Sequence, residues 1–321
     1  MVSIWILYHL KVRTYYLSCF VSYYYHVAKK IRSSKLKGGF TLSEENVVGR
    51  GIRSVKTVVL QENSPTHKAG LVIEPGNWAD VDPFLLMAED FFERGTFGMH
   101  PHRGIETVTY VIEGKLEHSD NKTDGGELLP GDVQWMTAGR GIIHTEDPAV
   151  GDTVRSLQLW VNLPSDKKMA EPRYQNLRAH DMPIRQEEGA TIRVFSGSSM
   201  NVTAPTENHA PVTMVECIVD AGVTITQDLP GSYNGFLYIV EGQGEFGKDQ
   251  TVGKEGQVLW LERTADTEQT EVTIHATEKL RVLLYAGQPI GEKVVARGPF
   301  VMNSDEEIVQ AYQDYRDGKF E

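Results

Sequence analysis

Imidazole and carboxylate side chains lie close together in the segment Gly98–Glu106, which reads GMHPHRGIE. His100 and His102 are two positions apart, and side chains two apart share one face of an extended chain. Glu106 has the same parity. Two imidazoles on one face can bind a single cation without distorting the backbone, so this segment predicts one half of a metal site.

A second segment, Gly139–Glu146, reads GRGIIHTE and repeats this combination. His144 and Glu146 are again two positions apart and therefore share a strand face. Imidazole nitrogens together with a carboxylate suit iron, manganese, cobalt, nickel, copper or zinc, and disfavour magnesium and calcium. A purely structural zinc site would instead be closed, tetrahedral and rich in cysteine. The two segments together predict an open metal site with positions left for substrate, water or dioxygen.

From Val47 onward the chain has the pattern of an all-β protein. Short apolar runs rich in Val, Ile, Thr, Tyr and Trp alternate with turn clusters such as Asn121–Gly126 and Pro130–Gly131. Many short strands with regular turns predict a sandwich or a barrel, and both histidine-containing segments belong to this part of the chain. One helix is predicted near the C-terminal end, where Ser304 and Glu307 have the spacing of a capping box.

The chain also contains an internal repeat. Tyr110–Gly114 (YVIEG) recurs as Tyr238–Gly242 (YIVEG), 128 positions later. Gly131–Trp135 (GDVQW) recurs as Gly256–Trp260 (GQVLW), 125 positions later. Two matches in the same order and at nearly the same offset favour a duplicated β-domain over chance similarity of short apolar strands.

These motifs resemble those of a known family. Gly98–Gly114 resembles the first cupin motif (HxH, then Glu, then Gly), although its last gap is one residue longer than the common pattern, and Gly131–Glu146 resembles the second. More narrowly, the runs HPHRGIETVTY and GDVQWMTAGRGIIHTE are similar to the pirin family, as is Arg50–Phe92 with its PFLL run. The resemblance covers about residues 47–320. It implies an all-β fold of two tandem cupin barrels (double-stranded β-helix or jelly-roll) with a short C-terminal helix.

The same resemblance implies which side chains hold the metal. In the pirin family the ligands are three histidines and the carboxylate after the third, which correspond here to His100, His102, His144 and Glu146. Glu106, at the position of the usual cupin carboxylate, then becomes a residue that faces the site and orients a ligand histidine or a water. One divalent transition metal is expected, with iron favoured and manganese, cobalt, nickel, copper or zinc as alternatives.

Three segments are predicted: an atypical N-terminal extension over 1–46, a metal-binding cupin over 47–165 and a degenerate cupin over 166–321. The second cupin has no histidine where the repeat offsets place the ligands of the first; these positions hold Asp228, Pro230, Gln269 and Glu271. Such a set binds a transition metal poorly, so this copy is expected to pack against the first. Two further histidines are not expected to bind metal, since His118 is interpreted as an exposed turn residue and His67 as a loop residue.

Composition excludes some classes of partner. The net charge is −12 at pH 7, which argues against direct binding to nucleic acid, because phosphate binding needs a basic face. The chain has two cysteines, Cys19 and Cys217, which lie far apart in sequence. A disulfide framework is therefore not expected, and a cytoplasmic location is favoured. Within the extension, Lys11 and Arg13 interrupt the apolar stretch Ile4–Tyr25, so no membrane span is predicted. The extension is interpreted as a non-native upstream segment, with a membrane-surface anchor as the alternative.

The resemblance to pirins implies quercetin 2,3-dioxygenase activity, in which dioxygen opens a flavonol ring and carbon monoxide is released. In this hypothesis the histidines hold the metal, and Glu146 accepts the proton of the flavonol hydroxyl. The alternative is a non-enzymatic iron protein whose redox state alters a surface that docks a protein partner. A third hypothesis is another reaction at the same metal, such as isomerisation or hydrolysis, because cupin folds support many chemistries.

Overall fold

The computed structural model describes residues 47–120, 125–264 and 269–320. The N-terminal extension, and with it both interpretations of that segment, lies outside the described residues. Apart from strands, the described part contains the helices α1 (Trp78–Val81) and α2 (Asp305–Arg316) and one 3-10 turn (Ser165–Lys167). The predicted all-β fold is confirmed. In the described part of the chain, neither helix has the length and apolar character that crossing a bilayer requires.

The strands of the first half are β1 (Val48–Gly49), β2 (Ile52–Thr57), β3 (Gln61–Ser64), β4 (His67–Ile73), β5 (Phe84–Glu93), β6 (His100–His102), β7 (Ile105–Glu113), β8 (Leu116–Asp120), β9 (Gly126–Leu128), β10 (Val133–Thr137), β11 (Ile142–Pro148), β12 (Thr153–Asn162) and β13 (Arg173–Leu177). Those of the second half are β14 (Ile184–Glu187), β15 (Ala190–Ser196), β16 (Ser198–Ser199), β17 (Val202–Thr203), β18 (Val212–Val219), β19 (Thr224–Pro230), β20 (Asn234–Glu241), β21 (Gln243–Phe246), β22 (Thr251–Lys254), β23 (Gln257–Leu261), β24 (Gln269–Ala276), β25 (Leu280–Gly287), β26 (Val295–Arg297) and β27 (Phe300–Met302).

Each half of the protein is built from one large and one small sheet. The first half has a seven-stranded sheet, in the order β13-β10-β7-β12-β5-β4-β3, and a four-stranded sheet, β6-β11-β8-β9. The second half has a seven-stranded sheet, β14-β15-β18-β25-β20-β23-β2, and a five-stranded sheet formed by β1-β24-β21-β22 with β19 paired to β24. This arrangement confirms the two tandem cupin barrels.

The two barrels exchange strands at their edges. β2, from the start of the described chain, pairs antiparallel with β23 in the large sheet of the second barrel. β13, which follows residue 166, pairs antiparallel with β10 in the large sheet of the first barrel. Strands from both sides of the predicted boundary therefore cross to the opposite barrel, and the boundary itself stays a prediction.

The internal repeat corresponds to the central strands of the two large sheets. Val108, Tyr110 and Ile112 of β7 and their counterparts in β20 are buried in one apolar cluster that both large sheets share. Each strand ends at a glycine with positive φ, +78° at Gly114 and +83° at Gly242. A Cβ at either position would come within 2.4 Å and 2.0 Å, respectively, of a backbone carbonyl oxygen, so the close turn requires glycine in both copies.

The C-terminal helix α2 begins as the capping box predicts. The Ser304 hydroxyl accepts a 3.2 Å hydrogen bond from the Glu307 backbone N–H, and the Glu307 carboxylate accepts a 2.9 Å bond from the Ser304 N–H. Ile308 and Ala311 form the buried face of the helix and pack with Phe300 of β27. This packing holds α2 beside the histidine-bearing strand, because Arg103, directly after β6, forms a bridge with Phe300.

Candidate metal centre

Strand pairing in the small sheet brings the three predicted ligand histidines together. β6 and β11 are antiparallel, with His100 opposite His144 and His102 opposite Ile142. The candidate ligand nitrogens of the three rings all lie within 4.8 Å of one another. Their ring centroids are 4.5 to 5.1 Å apart. Two segments 40 residues apart in sequence thus converge on one point.

The hydrogen bonding and the pKa values of the buried histidines suit the binding of a metal ion. Both nitrogens of His144 are buried and have no hydrogen-bond partner among the described residues. The nitrogens of His102 also lack a partner of normal geometry, although the Pro299 carbonyl lies close enough to favour the protonated ring. Burial, and then the neighbouring imidazoles, lower the pKa of His102 to about 3 and that of His144 well below its ordinary value. Neutral rings with free lone pairs are what a transition metal requires.

Glu146 lies two residues beyond His144 on β11, but it is not a member of the group within 4.8 Å. Both of its carboxylate oxygens have donors: the Thr109 hydroxyl at 2.9 Å and the Gln158 amide at 2.6 Å. Burial raises the pKa of Glu146, while the Thr109 hydrogen bond and His100 oppose that rise. Glu146 therefore lies at the site as a positioned carboxyl, and its roles as fourth ligand and proton acceptor stay predictions.

Glu106 does not lie where strand parity suggested. Side chains alternate along β7, and Thr109 reaches Glu146 inside the barrel, whereas Glu106 shares the opposite face with Tyr110. The Glu106 carboxylate accepts hydrogen bonds from the Trp135 indole at 3.0 Å and the Thr137 hydroxyl at 2.7 Å. This placement contradicts the expectation that Glu106 faces the metal site. Both faces of β7 are buried, so alternation alone could not show which face points to the metal.

A cavity of about 190 Å³ opens beside the histidine cluster. His100 and Glu146 form part of its wall, so a ligand in the cavity would contact both. The other wall residues are Ala88, Asp90, Phe92, Phe97, Thr109, Leu116, Ser156 and Gln158. The site thus joins a metal-binding cluster to a small chamber with mixed polar and aromatic walls.

Two polar residues beside the cluster were not predicted. His118, expected in an exposed turn, is buried on β8 directly opposite Glu146, with its ring centroid 5.6 Å from that of His144. The Tyr174 ring lies 4.4 Å from that of His118. Nε2 of His118 and the hydroxyl of Tyr174 are buried without a hydrogen-bond partner in the described chain. The alternation of Leu116, His118 and Asp120 was the one available signal, because β8 has no other mark of a buried strand.

The interpretation of His67 as a loop residue was also wrong. It begins β4, and its Nε2 forms a 2.8 Å hydrogen bond with Asp90 of β5. Asp90 lies in the cavity wall, so His67 contacts the site through this carboxyl. His67 is the first residue of β4 and directly follows the turn after Ser64, which gave it the pattern of a loop residue in the sequence.

The C-terminal helix anchors the strand that bears His100 and His102. The Arg103 guanidinium donates a 2.8 Å hydrogen bond to Asp314 of α2 and a 2.6 Å bond to the Arg140 carbonyl. It also lies over the Phe320 ring, 4.5 Å from the centroid. Arg103 therefore fixes β6 both to α2 and to the loop that leads into β11.

The corresponding region of the second barrel has a different character. Asp228 lies opposite Glu271, and Pro230 lies opposite Gln269, on the paired strands β19 and β24. Asp228, Pro230 and Gln269 line a cavity of about 380 Å³. Carboxylate and amide groups take the places of the imidazoles, and the degenerate role of this barrel stays a prediction.

Two cupin barrels in one chain, the first with a three-histidine cluster, define a bicupin protein with a metal-binding site. The family model described as Pirin matches residues 73–161, and the Pirin C-terminal cupin domain matches residues 214–321. A pirin-like protein from Solanum lycopersicum is 43% identical over 242 residues, covering 75% of this chain and 82% of that protein. Human pirin is 38% identical, covering 75% of this chain and 83% of its own length. The chain belongs to the pirin family.

Other relatives carry names that specify an activity. A Pseudomonas aeruginosa protein, provisionally named quercetin 2,3-dioxygenase, is 37% identical over 75% of this chain and 87% of its own length. A crystal structure of quercetin 2,3-dioxygenase from Acinetobacter baumannii is 29% identical, with a TM-score of 0.74 and coverage of 84% of this chain and 98% of that one. A crystal structure from Geobacillus kaustophilus, whose name states no activity, is 66% identical, with a TM-score of 0.77 and coverage of 77% of this chain and 100% of that one.

Proposed function

We propose that this protein is a metal-dependent dioxygenase of the quercetin 2,3-dioxygenase type, which opens the ring of flavonol-like substrates with dioxygen. The observation that carries the proposal is the opening of the three-imidazole cluster, through His100, onto a cavity that also presents the Glu146 carboxyl. Such an arrangement suits a small molecule that contacts the metal and a proton acceptor together. The relatives named as quercetin 2,3-dioxygenases support this reaction class.

The histidines and Glu146 have different roles in this proposal. His100, His102 and His144 would hold one divalent transition metal, with iron favoured and Glu146 as the fourth ligand. When bound, the metal supplies Lewis-acid and redox chemistry. Thr109 and Gln158 hold the Glu146 carboxylate in place, from which it would accept the proton of the flavonol hydroxyl. Burial raises the pKa of Glu146 toward the range useful for an acid–base group.

The cavity walls complete the proposed site. Phe92 and Phe97 pack edge to face with ring centroids 4.9 Å apart and give the chamber an apolar side. An apolar wall favours an aromatic substrate and keeps water away from the reacting groups. We propose no direct nucleic-acid partner and no membrane partner. A cytoplasmic location is proposed, because the described cysteine, Cys217, is a free buried thiol.

Oxygen uptake by the full-length protein tests the proposal. The wild type and the His100→Ala/His144→Ala double variant would be loaded with iron(II) and mixed with quercetin, and dioxygen consumption and carbon monoxide release would be followed. His180→Ala, which alters an exposed histidine, is the matched control. We expect equimolar uptake and release in the wild type and the control, and neither in the double variant. A wild type that retains iron but leaves quercetin and oxygen unchanged would contradict the proposal and favour the partner-docking alternative.

A further inference from the structure

The cavity beside the histidine cluster has a second carboxyl in its wall, that of Asp90. This residue lies on β5, and Ala88 and Phe92, two positions to either side on the same strand face, also line the cavity. The Asp90 side chain is 13% exposed, and as a wall residue it is exposed toward the chamber. The reaction proposed above assigns no task to this group.

His67 orients the Asp90 carboxyl and occupies one of its oxygens. The His67 Nε2 lies 2.8 Å from Oδ1 of Asp90, and no other hydrogen bond to the Asp90 carboxylate is made by the described residues. The His67 ring is held edge to face against Phe97, with centroids 5.1 Å apart. Since His67 occupies Oδ1, Oδ2 of this wall residue remains as an acceptor for a ligand in the cavity.

The charge of the wall limits the kind of ligand. Asp90 and Glu146 both face the chamber, and its wall, as far as the chain is described, includes neither lysine nor arginine. An anionic group next to Asp90 would be repelled without a compensating cation. Burial raises the pKa of Asp90, and the His67 hydrogen bond opposes that rise. Among the described residues, His67 is the one side chain that hydrogen-bonds this carboxylate. A neutral ligand with an O–H donor would supply the missing hydrogen bond.

The size of the chamber limits the ligand further. Its volume of about 190 Å³ is below the roughly 300–1,000 Å³ of pockets that enclose drug-sized molecules. The chamber therefore encloses about one ring with its substituents, against the apolar side that Phe92 and Phe97 form together. Discrimination between related substrates would then depend on the hydroxyls of that ring.

We propose that Asp90, oriented by His67, is a specificity-determining residue that accepts a hydrogen bond from a ring hydroxyl of a polyphenolic substrate bound at the metal site. The inference rests on the proposed function and names its substrate class more narrowly. Hydrogen bonds to a charged acceptor typically change affinity by about tenfold to a hundredfold. A ligand with a ring hydroxyl that donates to Asp90 should therefore bind more tightly, by that factor, than a ligand without this hydroxyl.

Anaerobic binding measurements test this inference independently of turnover. The probes are 3-hydroxyflavone, galangin and quercetin, which share the metal-binding hydroxyl; galangin adds two hydroxyls on the fused ring and quercetin two more on the pendant ring. Each would be titrated, by absorbance, into full-length protein loaded with iron(II). We expect the wild type to bind a hydroxylated probe at least about tenfold more tightly than 3-hydroxyflavone. Asp90→Ala should lose this preference and bind 3-hydroxyflavone as the wild type does.

Two further variants guard against misinterpretation. Asp90→Asn keeps an acceptor for His67 and close to the native volume, so it should fold even if Asp90→Ala does not, and its preference should fall by at least about threefold. Glu93→Gln, at the exposed end of the same strand, should leave the preference unchanged.

The outcomes separate the inference from the proposed function. Equal affinity losses for all three probes, or unchanged ratios in both Asp90 variants, would overturn the role of Asp90 even if quercetin is turned over. An Asp90-dependent preference without oxygen uptake in air would support the inference and reject the dioxygenase. Failure of every probe to bind the iron-loaded wild type would reject both.

Discussion

The hydroxyl of Tyr110, in the first barrel, donates a 2.5 Å hydrogen bond to the carboxylate of Glu216, in the second barrel. Its counterpart in the internal repeat, Tyr238, donates a 2.5 Å hydrogen bond to Glu89 in the first barrel. All four side chains are buried. The duplicated strand thus makes the same contact twice, once in each direction across the interface.

Loss of one of these hydroxyls should weaken the contact between the barrels. Tyr110→Phe leaves Glu216 paired with Arg281 at 2.8 Å, so the buried charge keeps a partner. We expect Tyr110→Phe and Tyr238→Phe each to lower the free energy of unfolding by about 1–3 kcal/mol. Urea unfolding would measure this, with Tyr315→Phe at the surface as control. Unfolding midpoints equal to those of the wild type would show that the reciprocal contacts are not stabilising.

The ion pair between Asp314 and Arg103 should make the free energy of unfolding depend on pH in the acidic range. Hydrogen bonds from Lys319, and then from Arg103, lower the pKa of Asp314 from its ordinary value of 3.8. A carboxyl whose pKa falls on folding stabilises the protein above the unfolded-state pKa, and this contribution is lost as pH falls toward the folded-state pKa. We therefore expect Asp314→Asn to lower the free energy of unfolding by about 1–3 kcal/mol near neutral pH.

The same difference between wild type and Asp314→Asn should shrink progressively below about pH 4, where the unfolded carboxyl takes up its proton more readily than the folded one. Urea unfolding of both proteins at a series of pH values measures the difference. A gap that stays constant from neutral pH down to about pH 2 would contradict the assigned cause.

The sequence predicted correctly those features that depend on residues a few positions apart. The HPH and HTE spacings predicted three histidines that the structure brings within 4.8 Å, and the Ser304–Glu307 spacing predicted the start of α2. These features depend on strand parity and on one helical turn, which a short segment determines by itself.

Other features depend on strands that meet only in the folded chain. Glu106 was assigned to the wrong face, because both sides of β7 are buried and the alternation has no polar side. His118 was missed because its burial comes from pairing of β8 with β11. The crossing of β2 to the second barrel and of β13 to the first leaves no trace in either strand's own sequence.

Tyr174 gives a test of the unpartnered polar atoms beside His144. Its hydroxyl is buried without a hydrogen-bond partner in the described part of the chain. Removing a buried hydroxyl that has no partner is nearly neutral or stabilising. Thermal and urea unfolding of Tyr174→Phe should therefore give a free energy within about 0.5 kcal/mol of the wild type, or higher. A loss above about 1 kcal/mol would show that the hydroxyl is hydrogen-bonded in solution.

Glu146→Gln separates the two roles proposed for this carboxyl. The amide keeps the size of the side chain but loses the charge and the capacity to accept a substrate proton. We expect quercetin-dependent oxygen uptake to fall by about 10²- to 10⁴-fold. Metal content measured on the same preparation shows whether the loss comes from the missing proton acceptor, with iron retained, or from a missing ligand, with iron lost. Activity within about threefold of the wild type would exclude both roles.

The central claim is that His100, His102 and His144 together hold one transition-metal ion. Its most direct test is the metal content per chain, measured by mass spectrometry, of full-length wild type, His144→Ala and the exposed-histidine control His180→Ala. Each protein would first be equilibrated with an equimolar mixture of iron(II), manganese, cobalt, nickel, copper and zinc in excess over the chain, and then passed through gel filtration. We predict about one ion per chain in the wild type and the control, and loss of nearly all of it in His144→Ala. A wild type that holds no metal, or a His144→Ala variant that holds as much as the wild type, would contradict the account.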